Sequence, residues 1–280
     1  MSALDWIAKW ADHTPGKTAV TSYDTHEKYT YEALDRYANR LKARFLELGL
    51  REGDRVGVLA EHSPEYIVLF CTCQRMGLIL VPLNYRLSAG ELSALVSDCS
   101  PKLLLYSINQ QYKLEQLSPV RCILLSIPEI RSCYKADAGI CAGNYEIKED
   151  NPLFIFYTSG TTGTPKGVVY TNKMLFWNSL NTSMQLGITS ADSTINVLPP
   201  YHTSGWNVLV TPLLHKGAHV GMLEKFDPEK TLCLLELHHT TLFMALPTML
   251  HMMQKTAVFN EVHLEHLRYI VSGGEAVSPG

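Results

Sequence analysis

Apolar and polar positions alternate along this chain in two periods. Arg55 to Ala60, Leu78 to Pro82, Leu103 to Tyr106 and Pro152 to Tyr157 are short apolar runs bounded by Gly, Pro or polar residues. Runs of that length, rich in Val, Ile, Leu and Phe, predict buried strands. Thr18 to Tyr23 and Glu27 to Thr30 predict two more, flanking a polar turn at Asp24. Between them the period lengthens. Tyr31 to Leu48 puts Leu34, Tyr37, Ala38, Leu41, Phe45 and Leu48 on one stripe, predicting a helix that Gly49 stops. Ser63 is expected to cap a helix opening at Pro64, and Ala89 to Ser97 predicts another. Residues 107–150 carry the weakest pattern, with one strand candidate at Cys122 to Leu125.

From Asn151 the alternation returns. Strands are predicted at Gly167 to Thr171, Ser193 to Leu198, Ala218 to Leu223, Thr241 to Ala245 and Leu267 to Ser272. Helices are predicted at Asn172 to Leu186, Trp206 to Leu214, after an Asp227 cap, and at Pro247 to Gln254. This β-α-β-α order implies an α/β fold of mixed, mostly parallel sheets covered by helices.

Composition narrows the class. At 280 residues, against ~150 per domain, the chain is one large domain or two small ones. Hydrophobic residues make up 46% and charged residues 18%, which excludes a disordered chain. The net charge of −3 offers no general attraction to nucleic acid or anionic lipid. The 7 cysteines are odd in number and scattered, so they read as free buried thiols of a reducing compartment. The N-terminus lacks the apolar core of a signal peptide, and no apolar run reaches the ~18 residues of a spanning helix. A soluble cytoplasmic protein is the resulting expectation.

The chemistry concentrates in YTSGTTGTPKGV, residues 157–168. Gly160, Gly163 and Gly167 let backbone approach a ligand closely. Successive amides in such a turn form an anion nest. The hydroxyls of Thr158, Ser159, Thr161, Thr162 and Thr164 add donors, and Thr161 and Thr162 are candidate Mg²⁺ ligands. Lys166 adds a point charge suited to polyphosphate. The order differs from a Walker A loop, because Pro165 precedes the lysine and Gly167 follows it. No G-x-G-x-x-G follows a strand, so a dinucleotide site is unsupported. Paired histidines at His238-His239 and His263/His266 read as solvated helix-face residues rather than a metal site.

This loop resembles the signature of the adenylate-forming enzymes: acyl-CoA synthetases, peptide-synthetase adenylation domains and firefly-type luciferases. Two later segments resemble that family in the same order, LPPYHTSGW at residues 198–206 and VSGGEA at 271–276. Thr30-Tyr31-Glu32-Ala33-Leu34, Gly53-Asp54-Arg55-Val56 and Val81-Pro82-Leu83-Asn84 are similar to the family's opening region. The resemblance implies the large N-terminal domain of an acyl-CoA synthetase, spanning 1–280, with subdomains at about 1–150 and 151–280. It implies ATP, Mg²⁺ and coenzyme A as partners of a carboxylic acid, with a fatty acid expected. Thr158, Ser159, Gly160, Thr161, Thr162, Gly163 and Lys166 would then hold phosphate. Gly273, Gly274, Glu275 and Ala276 would border adenine or the acyl group. His202 would border the carboxylate, with Trp206 as a candidate pocket wall. Amino-acid-activating members carry Asp where this chain has His202, so an acid without an α-amine is expected.

The resemblance also implies parts that this sequence does not contain. No Y-G-x-T-E segment is present, and the small C-terminal domain with its adenylation lysine would lie beyond Gly280. The 280 residues alone are therefore expected to be inactive. Two alternatives stand beside an acyl-CoA synthetase: an aryl-acid or amino-acid adenylating domain, and a non-catalytic nucleotide-binding relic. A homodimer remains open.

Overall fold

A computed structural model of the chain describes residues 3–117, 121–136, 145–158 and 165–274. In chain order the first elements are α1 (Trp6–His13), β1 (Thr18–Ser22), β2 (Lys28–Thr30), α2 (Tyr31–Glu47), β3 (Arg55–Leu59) and α3 (Glu65–Met76). There follow β4 (Ile79–Pro82), α4 (Ala89–Cys99), β5 (Leu103–Tyr106), α5 (Gln111–Leu114), β6 (Ile123–Ser126) and α6 (Ile127–Lys135). Next come β7 (Pro152–Thr158), β8 (Lys166–Thr171), α7 (Asn172–Gln185), β9 (Ser193–Asn196), α8 (Ser204–Asn207) and α9 (Val210–His215). The last are β10 (His219–Met222), α10 (Pro228–Leu237), β11 (Leu242–Ala245), α11 (Pro247–Gln254) and β12 (Tyr269–Ser272).

The described strands form two six-stranded sheets, ordered β12-β11-β9-β10-β1-β2 and β6-β5-β3-β4-β7-β8. Only the β1–β2 and β7–β8 pairs are antiparallel. The fold is thus mixed α/β, with mostly parallel sheets covered by helices, as the alternation predicts. The sheets do not divide the chain at 150: β1 and β2 join the sheet of β9 to β12, and β7 and β8 join that of β3 to β6.

Helix ends follow from side chains that satisfy orphan amides. The Thr30 hydroxyl accepts from the Ala33 amide at the start of α2, and Asp227 accepts from the Lys230 amide at the start of α10. Ser88 with Glu91, and Ser126 with Glu129, form reciprocal capping boxes on α4 and α6.

Several local expectations are corrected. Ser63 does not cap α3 with its hydroxyl; its carbonyl accepts the Tyr66 amide, and Pro64 stands at the cap. The single helix expected over Trp206 to Leu214 is two, α8 and α9, separated at Leu209. There the Thr211 hydroxyl donates to the Trp206 carbonyl in place of a backbone donor. The second strand of the loop hairpin begins at Lys166, one residue early. Residues 107–136, expected to be mostly irregular, carry α5 and α6 as well as β6. Of the six described cysteines only Cys71, Cys73 and Cys99 are buried, Cys122 and Cys133 are half-buried, and Cys233 is exposed. His239 and His266 are not helix-face residues; their rings meet at 4.2 Å beyond α10.

The larger core cluster joins residues of both sheets with α2 and α3. Phe154 and Phe156, two apart on β7, share its inner face with rings 5.0 Å apart. The alternate residues Ile155 and Tyr157 pack on the other face, in a smaller cluster with Leu92 and Leu95 of α4 and with Leu83 and Tyr201. This strand, buried on both sides, leads into the glycine-threonine loop.

Candidate active site

Strands β7 and β8 make the stem of the loop. Tyr157 stands opposite Gly167, and Thr158 opposite Lys166. Directly opposed residues in an antiparallel pair hold their Cβ atoms ~5 Å apart, so the threonine and the lysine form one edge. Both are exposed. Gly167 allows the close fit, since a Cβ there would meet Ile155 Cγ2 at 2.9 Å. Ser159, Gly160, Thr161, Thr162 and Gly163 lie outside the described residues, as do Glu275 and Ala276.

Beside the stem lies a cavity of about 310 Å³. Pro82, Asn84, Leu87 and Leu95 line one side, and Tyr157, Thr158, Pro165, Tyr201 and His202 the other. Its position follows from the sheet. β4 and β7 are parallel neighbours, with Leu80 beside Phe154, and the cavity opens beyond their C-terminal ends. Ligand sites in α/β sheets gather at that edge. Asn84 escapes a sequence reading because the β4–β7 pairing joins segments far apart in the chain.

His202 reaches this cavity by a tight turn. Its amide donates to Pro199 O at 3.2 Å, and the Gly205 amide donates to His202 O at 3.0 Å. Asn196, at the end of β9, pins the turn: its Nδ2 donates to Gly205 O at 3.0 Å and lies 3.1 Å from His62 Nε2. The His202 ring sits 4.8 Å from that of Tyr201, which packs edge-on to Tyr85 at 5.4 Å. Partial burial, and then the Arg86 charge, hold the His202 imidazole below its ordinary pKa.

Trp206 goes elsewhere. It is buried, its Nε1 donates to Pro200 O at 2.8 Å, and its ring lies among Phe154, Phe70 and Tyr66. It supports the His202 turn from the core side and does not line the cavity. Trp177 is exposed. Gly273 and Gly274 follow β12 in the other sheet, and Gly274 has φ +89°, which suits glycine. The described residues thus gather Thr158, Lys166 and His202 at one sheet edge, with Trp206 beneath. They contain no cluster of three or more His, Cys, Asp or Glu placed to hold a metal ion. No helix among them is long and apolar enough to cross a membrane.

Comparison with known proteins gives the family of the chain. Residues 7–280 match the family model described as AMP-binding enzyme. An indoleacetate–CoA ligase of Aromatoleum aromaticum is 31% identical over 99% of this chain and 56% of its own length. A long-chain-fatty-acid–CoA ligase, FadD13, of Mycobacterium tuberculosis is 27% identical over 98% of this chain and 56% of its own length. The chain spans about half the length of these curated relatives. Among solved structures, the inhibitor-bound N-terminal domain of FACL13 from M. tuberculosis superposes with a TM-score of 0.92 at 26% identity. That match covers 99% of this chain and 71% of the other.

Proposed function

The chain belongs to the AMP-binding enzyme family, and from that premise we propose that the whole protein is an AMP-forming acid–thiol ligase. It would activate a carboxylic acid with ATP to an acyl-adenylate and pyrophosphate, then pass the acyl group to coenzyme A. The observation that carries this reading is the meeting of the Thr158–Lys166 stem with the His202 cavity at one sheet edge.

The first half-reaction brings a carboxylate to a phosphorus ringed by negative oxygens, so the protein must offset repulsion. Lys166 supplies a positive charge at the stem, and the loop amides and hydroxyls supply donors. Thr161 and Thr162 are our proposed ligands for Mg²⁺, whose role when bound would be to screen the phosphate charges. His202 borders the carboxylate as a hydrogen-bond donor. Gly273, Gly274, Glu275 and Ala276 are proposed to border adenine or the acyl group.

The substrate is proposed as an acid lacking an α-amine, because His202 brings no anionic partner for an ammonium group. Relatives named for indoleacetate, ferulate and long-chain fatty acids bracket the choice between aryl and fatty acids. The test is acid-dependent ATP–pyrophosphate exchange by the full-length protein, run with fatty, aryl and amino acids. Exchange with a fatty or aryl acid supports the reading. Exchange with amino acids alone would overturn the substrate class, and none with any acid the adenylation itself.

A further inference from the structure

Tyr157 is the last residue of β7 before the stem pair, and its ring faces α4. Its hydroxyl donates to Asp98 Oδ2 at 2.5 Å and lies 3.4 Å from Leu95 O one turn earlier. Burial, and then this bond, raise the tyrosine pKa far above its ordinary value, so it stays a donor at any working pH.

Asp98 is an unusual residue for its place. It sits in the last turn of α4, where the helix dipole disfavours a carboxylate. It is exposed and no salt bridge to it occurs among the described residues. The hydrogen bond to Tyr157 is the interaction that offsets this location. A hydroxyl bound to a carboxylate at this distance is of the strong, charge-assisted kind.

The geometry points to Asp98 as a positioning residue for the phosphate-facing stem: through Tyr157 it ties the end of β7, and with it the Thr158–Lys166 pair, to α4. The inference rests on the adenylating reading above. Asp98 does not line the cavity. Without it the Tyr157 ring gains freedom to turn into the cavity beside His202, and the stem loses its tether on that side. Asn84 and Leu87, which lead into α4, line the same cavity, so a fixed spacing between α4 and β7 also fixes its width.

The test is a double-mutant cycle in the full-length protein, read by ATP–pyrophosphate exchange. Asp98→Ala is expected to raise the KM for ATP about fivefold to tenfold, less than the full worth of a charge-assisted hydrogen bond because Asp98 acts only through Tyr157, with a smaller change in kcat. Tyr157→Phe should match it, and the double variant should be no worse than either single one. Asp98→Asn keeps an acceptor oxygen and should restore most of the loss. The melting temperature of Asp98→Ala should stay near that of the wild type, because the side chain is exposed. An unchanged KM in Asp98→Ala, or fully additive effects, would overturn the assignment. Calorimetric titration with ATP reads the same cycle as a dissociation constant. If wild type exchanges with no acid, the adenylating reading fails by itself, while equal ATP affinities across the cycle overturn the tether.

Discussion

The indole of Trp206 and the ring of Phe154 lie with centroids 4.9 Å apart, tilted by 54°. This contact joins the segment carrying His202 to the strand carrying Thr158, through the core rather than through the cavity. Trp206 also touches Phe70 of α3, so one side chain bridges three elements. Trp206→Ala should cost about 3–5 kcal/mol, as for large aromatics deleted from a packed interior. Trp206→Phe should cost less, since it keeps the ring contact and loses the bond to Pro200 O. Urea titration would show the order. A loss below ~1 kcal/mol for the alanine variant would contradict a core role and favour a pocket wall.

Lys166 is the opposite case. It is exposed at the stem and belongs to no packed cluster. Lys166→Ala should leave the melting temperature unchanged. It should lower kcat/KM for ATP in the exchange assay by about 10²–10³, the scale of one lost transition-state contact. Lys166→Arg should recover only part, because a planar guanidinium replaces a point charge. Unchanged exchange in the alanine variant would remove the lysine from the phosphate site.

What could be read from the sequence follows a physical divide. Strands such as β3, β5 and β7 are legible because strands buried on both faces must be almost wholly apolar. The glycine-threonine loop is legible because its chemistry is contiguous. Three helices, α1, α5 and α6, are absent from the sequence reading, although the signals of α1 and α6 are local. Asp5 caps α1 by accepting from the Ala8 amide, and Ser126 with Glu129 boxes α6. Each motif is an acceptor placed three residues before an orphan amide. The sorting of strands into sheets was not legible. Val20 of β1 pairs with Val220 of β10, and nothing in either segment encodes that choice. The cavity was hidden for the same reason, since Asn84 and His202 meet only through long-range pairing. Trp206, a candidate pocket wall on its motif, lies in the core because its turn points the indole inward.

Acid should destabilise this fold above the range where carboxylates titrate. Burial lowers the pKa of His62, His215 and His219 to about 4 each. Smaller effects follow: Lys216 and Lys9 lower His215, His238 with Lys28 and Lys17 lower His219, and the Leu223 carbonyl and Asp24 oppose the shift at His62. In the unfolded chain each titrates near ~6.5. The folded values are the lower ones, so the unfolded chain takes up protons first as pH falls. Their contribution is complete above the unfolded pKa and is lost between ~6.5 and ~4, with no further loss from these groups below. Urea midpoints should therefore drop between pH 7 and pH 5. His219→Gln keeps a polar partner for the Thr21 hydroxyl, 2.9 Å away in the native protein, and should flatten that slope by about one proton in three. A midpoint constant from pH 7 to pH 5 would contradict the burial of these rings as neutral groups.

Gly205 offers a way to move His202 without touching it. A Cβ at Gly205 would stand 2.5 Å from Pro199 O, 3.1 Å from Pro199 C and 3.3 Å from Leu198 O. These are backbone atoms of a segment already pinned by Asn196, so no side chain can swing aside to relieve the overlap. Gly205→Ala must therefore push Pro199 and Pro200 outward, and His202 with them. The cost should be about 1–3 kcal/mol, as for other overpacked interior positions. In the exchange assay the variant should raise the KM for the acid more than that for ATP, because the stem at Thr158 and Lys166 is held by β7 and β8. Gly90 in α4 is the control, since a Cβ there meets nothing within 4 Å. Gly90→Ala should leave both KM values alone and gain up to ~1 kcal/mol from the reduced freedom of the unfolded chain. Equal effects of Gly205→Ala on the two KM values would mean that the turn supports both substrates and that His202 does not belong to the acid alone.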